Sequence, residues 1–324
     1  MHGSSCKSQA DVCVLVRCVV EGVVEMEPSS RQAESHGNWF LAKGQIFECR
    51  KRPLVMGVVN VTADSFYDGG RYLDRHRAVA HALQLVEQGA DILDIGGEST
   101  RPGALSVAED EERARVVPLV TELVRLVRVP ISVDTTKSGV ARAALDAGAS
   151  IINDISALAW DREMASVVAR SGAGVVLMHM QGTPQTMQIA PRYQDVIAEV
   201  AGFLESRMHA ALQAGIPQTN IVLDPGIGFG KLLEHNLELL DRLPEFMRLN
   251  RPLLVGLSRK SFIGRLVGRP PEQREWGTAA AVAIAVDRGA GILRVHDVGA
   301  MADVVTVASA VRSKICATQQ ERHA

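Results

Sequence analysis

Along this chain, short apolar runs rich in β-branched residues alternate with stretches whose apolar positions recur at helical spacing. Eight such runs end in a polar residue: PLVMGVVN (53–60), ADILDIGGES (90–99), VPISVD (129–134), ASIINDI (149–155), AGVVLMHM (173–180), NIVLDPG (220–226), PLLVGLSRK (252–260) and AGILRVHD (290–297). Their tips are Asn60, Asp94 with Glu98, Asp134, Asn153 with Asp154, His179, Asp224, Arg259 with Lys260, and Arg294 with His296. Strands alternating with helices at this regularity predict a parallel sheet. Eight units favour closure into a (β/α)8 TIM barrel over an open doubly wound sheet, and no G-x-G-x-x-G follows the first run. Such a barrel gathers its catalytic groups at the C-terminal strand ends, so the polar tips mark the rim of a small-molecule active site.

The helical patterns run over about 75–88, 138–147, 161–171, 193–214, 235–248, 277–288 and 299–317. A further one opens at Ser106 and Glu109, which have the spacing of a capping box, with Asp110 and Glu111 favourable to the helix dipole. Gly89 is a plausible helix stop, and Gly-Ala recurs ahead of several strands. Three connections are long: 61–73, 97–105 and 180–192. All follow strands and so lie on the rim, where long loops serve as lids or substrate contacts.

Composition narrows the class. The 324 residues are 47% hydrophobic, enough to fill one large barrel. A net charge of −2 and no Lys/Arg block argue against nucleic acid as partner. Five scattered cysteines, with no C-x-x-C pair, fit a reducing cytoplasm and not a zinc or disulfide framework. No stretch reaches the roughly 18–20 apolar residues of a membrane span. Segment 12–24 is interrupted by Arg17 and Glu21 and is not framed as a signal peptide. Residues 1–38 read as an N-terminal extension to a single barrel domain over 39–324, and Met26 is an alternative start.

Chemistry follows from the identities of the tips. Asp134, Asn153, Asp224 and Lys260 come from four strands and offer acceptors, an amide and an ammonium. That set complements a flat heterocycle with alternating donors and acceptors on its edge, as in a pterin. The competing reading pairs these acids with basic neighbours as structure. Arg294 and His296 flank one residue and share a face, near the loops where barrels bind phosphate; Arg294 paired to an internal acid is the alternative. Asn60 supplies an oxygen suited to Mg²⁺, which binds through few protein ligands, waters and substrate phosphates. The segment 258–264, with the Ser261 hydroxyl and free backbone N–H groups, suits a carboxylate. DPGIGFGK (224–231) is not a Walker A loop; its glycines allow turns that place Phe229 beside an aromatic ligand. A Schiff base on Lys260 would leave Asp134 and Asp224 without a role. His179 reads either as a base or as a hydrogen-bonded structural histidine.

The motifs NVTADSFYDGG (60–70), DIGGESTRPGA (94–104), ISVDTTK (131–137), INDI (152–155), LMHMQGTPQTMQ (177–188), LDPGIGFGK (223–231), GLSRKSFIG (256–264) and RVHDV (294–298) closely resemble the dihydropteroate synthase family, in order, over about 53–298. The resemblance implies condensation of p-aminobenzoate with (7,8-dihydropterin-6-yl)methyl diphosphate to 7,8-dihydropteroate and pyrophosphate. It also implies Mg²⁺, a cytoplasmic homodimer and sulfonamide inhibition. By this likeness Asp134, Asn153, Asp224 and Lys260 match pterin-binding positions, with Asn60 at metal and diphosphate. Arg294 and His296 match the diphosphate clamp. Thr100, Arg101 and Pro102 match a mobile loop, and Ser261 the carboxylate site of p-aminobenzoate. Ala63, Tyr67 and Thr136 depart from the family pattern without removing a substrate-contacting group. A corrinoid methyltransferase using methyltetrahydrofolate, or a non-catalytic pterin-binding paralogue, is the alternative; neither calls for the full set of Asn60, Arg101, Lys260 and Arg294.

Overall fold

The computed structural model describes residues 38–49, 51–61 and 70–323. The N-terminal extension up to residue 37, and Ala63 and Tyr67 in the first long loop, lie outside them.

The eight apolar runs form eight parallel strands: β3 (Leu54–Asn60), β4 (Ile92–Gly96), β5 (Ile131–Asp134), β6 (Ile151–Asp154), β7 (Gly174–Met178), β8 (Ile221–Asp224), β9 (Leu254–Gly256) and β10 (Ile292–Val295). They hydrogen-bond in the order β8-β7-β6-β5-β4-β3-β10-β9. Between β9 and β8 the pairing thins to one parallel bridge, Leu223 to Leu253, with Leu223 N–H donating to Pro252 O at 3.0 Å. That contact brings the two ends of the sheet together as a (β/α)8 barrel.

Around it lie α1 (Gly70–Glu87), α2 (Glu109–Leu126), α3 (Ser138–Asp146), α4 (Met164–Ser171), α5 (Val196–Gln213), α6 (Leu233–Asp241), α7 (Ser261–Val267), α8 (Glu275–Asp287) and α9 (Val298–His323). The capping box expected at Ser106 does not form. The helix starts at Glu109 after Ala108, which gives no side-chain cap. Glu98 instead holds the approach, accepting the Val107 N–H at 2.9 Å, and four acids in the first turn answer the helix dipole. The helix expected over 235–248 breaks into α6 and a 3-10 turn, Leu243–Leu249, with Pro244 at its start, where a missing N–H ends the α ladder.

Strand parity divides the core in two. Outward residues such as Val55, Leu93, Val133, Val175, Leu223 and Leu293 pack against the helices. Inward ones at the lower ends, Met56, Ile92, Ile151, Val176, Val222, Leu254 and Ile292, form a second cluster inside the barrel. A β-hairpin plugs it from below: β1 (Trp39–Ala42) and β2 (Gln45–Glu48) pair Phe40 with Phe47, whose rings stack at 5.0 Å. Lys43 and Gly44 make its two-residue turn with φ of 48° and 77°, the positive pair that a twisted hairpin favours. With the bottom closed by apolar side chains, the upper interior is left for chemistry.

Candidate active site

One step above the apolar layer, the same inward parity turns polar. In β10 the inward sequence is Ile292, Arg294; in β4 it is Ile92, Asp94, Gly96; in β6 it is Ile151, Asn153; in β8 it is Val222, Asp224. Register then lines the rim residues up: Asn60 sits beside Gly96, Gly96 beside Asp134, and Asp134 beside Asn153. Gly96 opens space in this row, since a β-carbon there would lie 3.6 Å from Asn60 Oδ1 and 3.7 Å from Asp134 Cβ.

Arg294 ties the floor together. Its Nε donates to Asp94 Oδ2 at 2.6 Å and a terminal nitrogen to Asp134 Oδ2 at 2.9 Å. Asn153 Nδ2 donates to the same Asp94 oxygen at 3.2 Å, while Asp94 Oδ1 is buried without a hydrogen-bond partner. Burial works against the Arg294 charge, but Asp94 and Asp134 outweigh it and hold the guanidinium above its ordinary pKa. Burial pushes Asp134 up to about 8; Arg294 opposes the shift and Asp94 adds to it. The internal pairing considered from sequence for Arg294 is therefore present, and it places Arg294 within the candidate heterocycle site.

Asp224 is buried on the facing wall. Its Oδ1 accepts the Gly226 N–H at 2.7 Å, and burial raises its pKa against the pull of Lys260. Lys260 reaches back across the loop after β8, donates to Ile227 O, and sets its ammonium 4.6 Å above the Phe229 ring. Burial lowers its pKa to about 8, offset in part by Asp224. Asp94, Asp134 and Asp224 thus lie close to Arg294 and Lys260, and positive charge developing on a ligand among them favours the ionised form of the two acids that burial raises, Asp134 and Asp224.

At the mouth, His296 rests on Ser258, whose Oγ lies 3.0 Å from the ring Nδ1. Burial, then the charges of Arg294 and Arg259, hold its pKa down to about 4, and Arg101 adds to the same field from the loop after β4. Thr100 is half-buried, while Arg101 and Pro102 are exposed. That loop touches the next long one, Gly103 N–H donating to Pro184 O at 2.9 Å. Ser261 opens α7 with an exposed side chain.

Other tips have different work. Arg259 pairs with Asp297 through two bonds, at 3.0 and 2.5 Å. Asp154 has outward parity and caps the turn at Ser156 and Leu158. His179 meets the buried Lys231 ammonium at 2.9 Å, and burial drives its pKa down to about 2. That is the structural alternative for His179. Glu98 and Glu112 share Lys137 at 2.5 Å each, fixing the base of the 97–105 loop. Two residues were under-read in the sequence. Asp94, given no role there beyond a strand tip, lies at the centre of the floor; its inward parity with Ile92 was the available signal. Ser258 gave no sign except its place two residues before Lys260.

Mg²⁺ was expected at Asn60. No group of three or more His, Cys, Asp or Glu able to hold a metal occurs among the described residues. The donor set is a half-buried amide beside the opening at Gly96, which fits an ion carried mainly by water and substrate phosphate.

Residues 56–296 match the family model described as pterin binding enzyme. The chain is 47% identical over 267 residues to a dihydropteroate synthase of Synechocystis sp. (strain ATCC 27184 / PCC 6803 / Kazusa), covering 82% of this chain and 92% of that one. Among solved structures it is similar to a Yersinia pestis dihydropteroate synthase in a sulfonamide drug complex (TM-score 0.80, 44% identity, 85% of this chain and 99% of that one). It is also similar to a Xanthomonas albilineans dihydropteroate synthase with 4-aminobenzoic acid (TM-score 0.79, 50% identity, 85% and 98%).

Proposed function

Since this chain belongs to the dihydropteroate synthase family of pterin-binding enzymes, we propose a mechanism in which its buried acids stabilise a pterin-methyl cation as diphosphate departs. The reaction is a transferase step: p-aminobenzoate and (7,8-dihydropterin-6-yl)methyl diphosphate give 7,8-dihydropteroate and pyrophosphate.

Asp134, Asn153, Asp224 and Lys260 hold the heterocycle by its donor and acceptor edge, as their convergence supports. Departure of diphosphate leaves positive charge on the exocyclic methylene, which spreads into the ring. The placing of buried Asp134 2.9 Å from Arg294, beside Asp94, carries this reading: burial raises the Asp134 carboxyl, and a cation forming next to it favours the carboxylate that stabilises it. His296, with the guanidinium nitrogen of Arg294 that is not engaged by Asp94 or Asp134, binds the leaving group. Asn60 and the diphosphate oxygens would hold Mg²⁺, which neutralises charge on the leaving group when bound. The neutral aniline nitrogen then forms the C–N bond and gives up one N–H proton to the departed diphosphate, so attack needs orientation more than a protein base, with Ser261 and the Phe229 face positioning the ring. Arg101 and its loop close over the pair and exclude water, the competing nucleophile.

The assembly we propose is a cytoplasmic homodimer. Among the described residues, no helix is long and apolar enough to cross a membrane. Exposed Ile284 on α8 and Val307 and Val311 on α9 support those helices as the contact surface. Competition by sulfonamides at the p-aminobenzoate position belongs to the same reading.

Substitution Asp134→Asn tests the electrostatic role. Turnover is expected to fall about 100-fold, the scale of one lost charge-stabilising group, with a much smaller change in pterin affinity. Unchanged kcat in a folded variant contradicts the role.

A further inference from the structure

Ser258, just beyond β9, is buried and lies against His296. We propose that Ser258 is a positioning residue that fixes His296 as the tautomer protonated on Nε2, so that the ring aims an N–H donor at the diphosphate. The functional half of this proposal rests on His296 being part of the diphosphate clamp.

The backbone N–H of His296 donates to Ser258 Oγ at 3.3 Å, and ring Nδ1 lies 3.0 Å from the same oxygen. Two arrangements of hydrogens satisfy that second distance. In one, the Ser258 hydroxyl donates to Nδ1 and the ring proton sits on Nε2. In the other, Nδ1–H donates to Oγ, which accepts twice. Its own hydrogen then has no acceptor among the described residues. A buried hydroxyl left in that state is disfavoured, whereas the first arrangement satisfies both Ser258 Oγ and His296 Nδ1 and leaves Nε2–H free for a ligand. The charges of Arg294 and Arg259, with burial, keep the imidazole neutral near pH 7, so it carries one ring proton and one donor. An ionised diphosphate oxygen accepts and does not donate. Only the Nε2–H ring, with Nε2 on the edge away from Ser258, can meet it.

The experiment is ¹⁵N NMR of ring-labelled histidine in the full chain, with inorganic pyrophosphate as the titrant, on wild type, Ser258→Ala and Ser258→Thr. In wild type, His296 is expected to show a protonated Nε2 and an unprotonated, hydrogen-bonded Nδ1. Ser258→Ala is expected to mix the tautomers and weaken pyrophosphate binding about tenfold, in the range of one hydrogen bond to a charged group. Its melting temperature should stay near wild type, with KM for p-aminobenzoate unchanged. Ser258→Thr, which keeps the hydroxyl, restores both tautomer and affinity. A wild-type ring protonated on Nδ1 overturns the proposal, as does an alanine variant that keeps both tautomer and affinity. If the wild type shows the Nε2–H ring yet binds no pyrophosphate, the clamp reading itself is overturned, and the spectrum separates that failure from the others.

Discussion

At the scale of single residues, the site depends on charges that burial alone would suppress. Asp94 is fully buried and shares one oxygen between Arg294 and Asn153. Replacement by Asn leaves Arg294 with Asp134 as its remaining carboxylate. The expected loss is about 2 kcal/mol, below the usual 3–5 for a broken buried pair because one acid remains, and urea unfolding measures it. A variant as stable as wild type would show that Asp94 does not hold the floor. Lys260 gives a second check, through pH. Its pKa falls from an ordinary 10.5 to about 8 in the folded protein. Between those values the unfolded chain binds more protons at this position, so its contribution to stability rises with pH across that window and is lost as pH falls toward 8. Activity needs the Asp134 carboxylate and the Lys260 ammonium together, so kcat/KM of the free enzyme is expected to peak near pH 8, with Lys260 giving the falling limb above it. A flat kcat/KM profile to pH 10 would remove Lys260 from the binding step. Asp134, Asn153, Asp224 and Lys260 were legible because each ends an apolar run. Ser258 was not, because a serine two places from a catalytic lysine looks the same in sequence whether it touches histidine or solvent.

At the scale of elements, the eight barrel strands were readable from alternation because each parallel strand is covered on both sides and therefore stays apolar to its tip. Helix starts were less readable. The spacing of Ser106 and Glu109 satisfied a local capping rule, but Glu98, from the preceding strand end, took the Val107 N–H instead. Such a contact joins residues nine apart and follows from no local pattern. The β1–β2 hairpin was likewise missed as an element. Its strands have four residues each, and their apolar positions gain meaning only against the barrel floor. Phe40→Ala should destabilise the protein by about 3–5 kcal/mol, as large aromatic truncations in a core do. Turnover and KM at a temperature where the variant is folded should match wild type, because the plug lies at the opposite end from the rim. A changed KM would mean that the lower core transmits strain to the site.

On the scale of the whole molecule, one rule organises both fold and function: inward parity is apolar below and largely polar above. The plug, the apolar ring and the charged floor follow one another up the same strands, so the interior that stabilises the barrel also supports Arg294 and its acids. Sequence made this architecture legible through strand tips and motif order. It did not make legible how the tips share partners, since Asp94, Asp134 and Arg294 lie 40 to 200 residues apart and meet only on closure. The most direct measurement is pyrophosphate release by the purified full chain with Mg²⁺ and both substrates, run beside a control lacking p-aminobenzoate. Release that requires p-aminobenzoate and matches 7,8-dihydropteroate formed, mole for mole, is the expected result. A folded protein that releases no pyrophosphate in response to p-aminobenzoate would contradict it.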